Sequence, residues 1–98
     1  MEVVKQNEQF TLNKVLENGW VIAGNATKHV SGNLSFWMHI LKKEGEGELE
    51  KENTIGDISY STYHDGRFDL NCSTVEENRV QLMQCINPII DEVLDYFK

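Results

Sequence analysis

The sequence predicts an α+β domain: an antiparallel meander of four or five strands, then a C-terminal helical segment bent near Pro88 and packed on one sheet face. Three observations predict it. Apolar and polar residues alternate, with the apolar ones on even positions, through four segments between Gly19 and Cys72; this is the period of strands with one face in a core and one in water. Turn sequences rich in Gly and Asn separate those segments. Beyond Cys72 the period lengthens to that of a helix.

At the N-terminal end Phe10, Leu12 and Leu16 share the parity of the later strands, and Asn18-Gly19 is a strong hairpin signal. A strand over 8–17 follows. Leu12, Val15 and Leu16 also fit a short helix ended by Gly19, so strand and helix both stay open here. Four strands are then read from Trp20, Ile22, Ala26 and Val30; from Leu34, Phe36, Met38 and Ile40; from Ile58 and Tyr60; and from Phe68, Leu70 and Cys72. Ser31-Gly32-Asn33 and Asp65-Gly66 are tight-turn sequences, because Gly and Asn tolerate positive φ. Val75, Arg79, Leu82, Met83, Ile86, Ile90, Val93, Leu94 and Phe97 trace one face of a helical segment over about 74–97. Ser73 with Glu76, or Thr74 with Glu77, can form a capping box at its start. Proline removes a helix hydrogen bond but is harmless at a first helical position, so Asn87 is expected to cap a second helix beginning at Pro88.

The whole chain, 1–98, reads as a single domain with strands over about 8–72. Sixteen acidic residues against nine basic ones give a net charge of −7, which opposes direct binding to nucleic acid or to an anionic membrane. Cys72 and Cys85 lie thirteen positions apart, outside the spacing of redox pairs and paired zinc ligands, and are expected in the core. The opening residues lack the apolar run of a signal peptide, and no window approaches the ~20 apolar residues of a membrane span. A cytoplasmic protein is expected.

The charge is concentrated. An excursion between the second and third of those four strands, about 44–53, sets Glu44, Glu46, Glu48, Glu50 and Glu52 at alternate positions. In an extended chain their same-side carboxylates recur about every 6.6 Å. With Asp57, the stretch holds six acids and one base in fourteen residues. A second acidic set, Glu76, Glu77, Asp91, Glu92 and Asp95, falls on the helical segment. Two such lines of carboxylates on one side of the molecule would stand in for the phosphate rows of a duplex.

Catalytic patterns are not found. His29, His39 and His64 accompany Asp57, Asp65 and Asp69, but no His-Glu-x-x-His, Gly-x-Ser-x-Gly or Walker-type loop occurs. The glutamate run lacks the ligand register of a calcium loop. No catalytic residue, metal site or cofactor is therefore expected. On the odd-numbered side of the sheet Val21, Ala23, Trp37, Leu41 and Tyr63 interrupt a polar surface; the N-terminal segment, a second copy in a homodimer, or a partner would cover them.

These features predict a noncatalytic protein that inhibits a basic partner, a nucleic-acid-binding protein, by occupying its basic surface. The binding residues would be Glu44, Glu46, Glu48, Glu50, Glu52 and Asp57, with Trp37 or Tyr63 as aromatic anchor. In size and charge alone the chain resembles the small acidic decoys known among phage and mobile-element inhibitors. Two alternatives belong to other classes: a small chaperone or adaptor holding a peptide on the apolar sheet face, and a single-stranded nucleic-acid binder stacking bases on Trp37 and Tyr63.

Overall fold

Three hairpin turns of one design set the path of the sheet. In each, a three-residue loop ends in a glycine with positive φ: Gly19 at 91°, Gly32 at 93° and Gly66 at 87°. The closing bonds match as well: Leu16 N–H donates to the Trp20 carbonyl, His29 N–H to that of Asn33, and Tyr63 N–H to that of Arg67, at 2.8 to 3.0 Å. The residue before each glycine accepts from the backbone N–H two positions on, through Asn18 Oδ1 (3.0 Å), Ser31 Oγ (3.4 Å) and Asp65 Oδ1 (3.1 Å). This is a type I turn closed by a left-handed residue, which Gly adopts without strain and to which Asn, Asp or Ser adds a side-chain acceptor. The Asp65-Gly66 loop thus holds three residues, one more than a minimal hairpin.

The computed structural model describes residues 7–44 and 51–97, with Lys51 described by its backbone. Its elements are β1 (Glu8–Val15), β2 (Val21–Lys28), β3 (Leu34–Glu44), β4 (Lys51–Thr62), β5 (Phe68–Thr74), a 3₁₀ turn (Glu76–Asn78) and α1 (Arg79–Tyr96). The strands form one antiparallel sheet in the order β1-β2-β3-β4-β5, a five-stranded meander. The N-terminal segment is a strand and not a helix, because Phe10 and Leu12 pack against the core at a period of two while Val15 points away from it.

The core lies between the even-numbered face of the sheet and α1. Trp20, Ile22, Ala26, Leu34, Phe36, Met38, Ile40 and Ile58 meet Leu82, Ile86, Ile89, Ile90 and Val93. Burial of those five helix residues is worth roughly 7–15 kcal/mol before entropy. That outweighs the ~1 kcal/mol of a helix cap, and the predicted capping boxes are in fact absent. Val75 and Asn78 occupy the N-cap positions with no side-chain cap bond. Thr74 is still in β5, and its hydroxyl donates to the Ile55 carbonyl at 2.9 Å. Nor does Asn87 cap a second helix. Residues Arg79–Tyr96 form one helix with Pro88 inside it, and the carbonyl left without its usual donor is that of exposed Gln84.

Three apolar residues expected in the core are exposed instead: Phe68, Leu70 and Cys72 of β5. Val30, in a turn, and Met83, on the flank of α1, are exposed as well. The helix does not cover β5. Among the described residues no helix is long and apolar enough to cross a membrane.

The β3–β4 pairing contains an irregularity that sequence periodicity did not show. Ile40 pairs with Gly56 but Leu41 pairs with Thr54, so Ile55 is an extra residue in β4. This bulge reverses the parity of β4. Gly56 is required there, since a Cβ would lie 2.3 Å from the Ser73 carbonyl oxygen.

Candidate functional site

Residues directly opposite in an antiparallel ladder share a face, so the register gives the composition of the sheet face that α1 leaves open. One row across the strands is Thr11, Asn25, Trp37, Ser59 and Asn71; the next is Asn13, Ala23, His39, Asp57 and Ser73. Trp37 stands at the centre of this polar surface with 46% of its area exposed. Its ring meets the His39 ring edge to face, centroids 4.1 Å apart. His39 Nδ1 lies 2.7 Å from Asp57 Oδ1, so Asp57 fixes the imidazole in place beside the indole.

Further along the same face come the pairs Leu41 with Thr54 and Lys43 with Glu52. At the other end Tyr63 donates its hydroxyl to Asp69 Oδ2 at 2.5 Å, and the Arg67 guanidinium lies 5.7 Å from the Tyr63 ring centroid. The phenol's bond to the Asp69 carboxylate, strengthened by its negative charge, raises the Tyr63 pKa above 10.0.

The structure therefore brings together Trp37, Asp57 and Glu52 on one face, with Tyr63 beside Asp69 at its margin. It does not bring Glu44 to them. Because of the bulge at Ile55, Glu44 pairs across the ladder with position 51 and lies on the opposite face from Glu52. The alternate spacing of Glu44 and Glu52 accordingly does not make a one-sided ladder. Instead Glu44 accepts a hydrogen bond from Asn53 Nδ2 at 2.8 Å. Glu46, Glu48 and Glu50 lie outside the described residues.

The second acidic set is also placed differently from expectation. Asp91 and Glu92 are exposed on α1, across the sheet from Trp37, and Glu92 is paired with Lys14 of β1. Glu76 is paired with Arg79 at 2.8 Å. The sheet thus separates Asp91 and Glu92 from Asp57 and Glu52.

A cleft of about 340 Å³ between β1 and α1 was not foreseen. Phe10, Leu12, Ile89 and Tyr96 line it, with Lys14 and Glu92 at its rim. Of the acidic residues singled out from the sequence Glu92 reaches it, and the apolar parity of β1 is its sequence signal. Among the described residues no three His, Cys, Asp or Glu side chains are grouped to hold a metal ion. His39 and Asp57 lie on the sheet surface, where Trp37, Asp57, Ser59 and Asn71 line a shallow depression of about 300 Å³. No family model, no curated protein and no solved structure matches the chain.

Proposed function

We propose that this chain is a noncatalytic binding protein whose open sheet face engages a basic protein, the class of partner being one that itself binds nucleic acid. The observation that supports this most is the exposed Trp37, packed edge to face against His39 at the centre of a sheet face that no described element covers. An exposed tryptophan on an open face is characteristic of interface anchors. Asp57, Asp69 and Glu52 on that face, with a net charge of −7, favour a cationic partner and disfavour phosphate. In this reading Trp37 supplies contact area, while Asp57 and Glu52 set the association rate and its salt dependence. Glu46, Glu48 and Glu50 add to the field.

The test is affinity capture from a lysate with the wild type, Trp37→Ala and the double variant Glu52→Gln/Asp57→Asn. Basic nucleic-acid-binding proteins should be captured by the wild type and released by added duplex DNA or by salt. Trp37→Ala should lose them at every salt concentration, and the double variant should bind them with a flatter salt dependence. Retention by Trp37→Ala at wild-type strength, or capture insensitive to both DNA and salt, refutes the proposal.

A further inference from the structure

The outer edge of β5 combines two features in the same residues. Tyr63 and Arg67 form the first hydrogen-bonded pair of the β4–β5 hairpin. Stepping along the register by two, the pairs 61 with 69, 59 with 71 and 57 with 73 are hydrogen-bonded in turn. The backbone N–H and C=O groups of Phe68, Leu70 and Cys72 therefore point away from β4, toward the free edge, where no described strand pairs with them. Those same residues carry the exposed apolar side chains: Phe68 is 60% exposed and Leu70 37%. Phe68 extends an aromatic stack through Tyr60 to buried Phe36, with centroid spacings of 5.6 and 5.2 Å. The edge is thus a continuation of the core that no described element covers. It has no proline, lysine or bulge in its seven residues, and Asp69 is its one charged residue.

We infer that β5 pairs with β5 of a second copy of this chain, antiparallel across a twofold axis through Leu70, joining two five-stranded sheets into one. The strand's self-complementarity favours a second copy over an unrelated peptide. In this register Leu70 faces Leu70, Phe68 faces the second copy's Cys72, and Asp69 faces the second copy's Asn71, an amide able to donate to it. No like charges oppose each other. The residues with outward backbone groups fall opposite one another, giving about six inter-chain hydrogen bonds from three such pairs. The opposite edge does not offer this. In β1 the outward-pointing positions, by the same argument from the Leu16–Trp20 bond, are Gln9, Thr11, Asn13 and Val15, whose side chains lie on the polar face.

Sedimentation equilibrium across a concentration series, with circular dichroism as the folding control, tests this. The wild type should be a dimer. Leu70→Pro removes an N–H that points away from β4, so it should keep the fold yet raise the dimer dissociation constant about 10- to 100-fold through the symmetric loss of two hydrogen bonds. Leu70→Lys sets two ammonium groups face to face and should also give monomers; it decides the matter should the proline variant not fold. In a Cys72→Ser background, Leu70→Cys should oxidise to a covalent dimer, since a hydrogen-bonded pair holds its Cα atoms about 5.5 Å apart, within disulfide range. A wild type that stays monomeric at all concentrations overturns the inference. So does a dimer that survives Leu70→Lys or is abolished by Trp37→Ala.

Discussion

Gly24 lies in the middle of β2, where a methyl group has no place. A Cβ there would lie 2.0 Å from the Trp37 carbonyl oxygen and 2.6 Å from the Met38 Cα, both in the backbone of β3. Since backbone atoms cannot rotate away, reaching even 3.0 Å requires β2 and β3 to part by about 1 Å at that point. The flanking pairs Ala23 with His39 and Asn25 with Trp37 are hydrogen-bonded, by extension from the His29–Asn33 bond. Stretching their four bonds by that amount breaks them, at a net ~0.5–1.5 kcal/mol each, or about 2–6 kcal/mol together. A chain of this size has a total stability of about 5–15 kcal/mol. Gly24→Ala should therefore lower the urea midpoint by about 2–3 M or prevent folding, as read by tryptophan fluorescence. Gly19→Ala is the matched control: nothing lies within 4 Å of its Cβ, so the cost is that of positive φ alone, about 1–2 kcal/mol. Gly24→Ala within about 0.5 M of wild type, or Gly19→Ala costing as much as Gly24→Ala, would refute the close-approach argument.

Two further predictions concern single hydrogen bonds. Thr74→Val leaves the Ile55 carbonyl of the bulge without its side-chain donor, and denaturant unfolding should show a loss of about 1–2 kcal/mol. Thr74→Ser should recover most of it. Tyr63 has a folded-state pKa raised mainly by its hydrogen bond to Asp69; its stabilisation is complete below 10.0 and fades as pH rises through the folded value, because the unfolded phenol ionises first. Difference titration of the phenolate absorbance against Tyr63→Phe should give a midpoint above 10.0 that falls on Asp69→Asn. An unchanged midpoint in that variant would show that Asp69 is not the cause.

The sequence by itself determined four of the five strands and the three tight turns, and left 8–17 open between strand and helix. Alternation through Ile22, Met38, Ile40 and Ile58 named the buried face because a one-residue slip would put every side chain on the wrong side. Asn18-Gly19, Ser31-Gly32 and Asp65-Gly66 placed the hairpins because Gly takes without strain the φ their last position needs. Trp37 stood out as an aromatic on the polar parity, and the structure places it on the open face. Tertiary packing decided what periodicity cannot carry. The bulge at Ile55, next to the close approach of Gly56 to Ser73, separates Glu44 from Glu52. Thr74 lies within reach of the Ile55 carbonyl, which takes it from the predicted cap. An 18-residue helix laid over a five-stranded sheet covers only part of it, so β5 keeps the apolar parity of a core strand while standing in water. Alternation records which side of a strand is apolar; whether another element reaches that side is a matter of helix length and crossing direction, and these are fixed only when the layers pack.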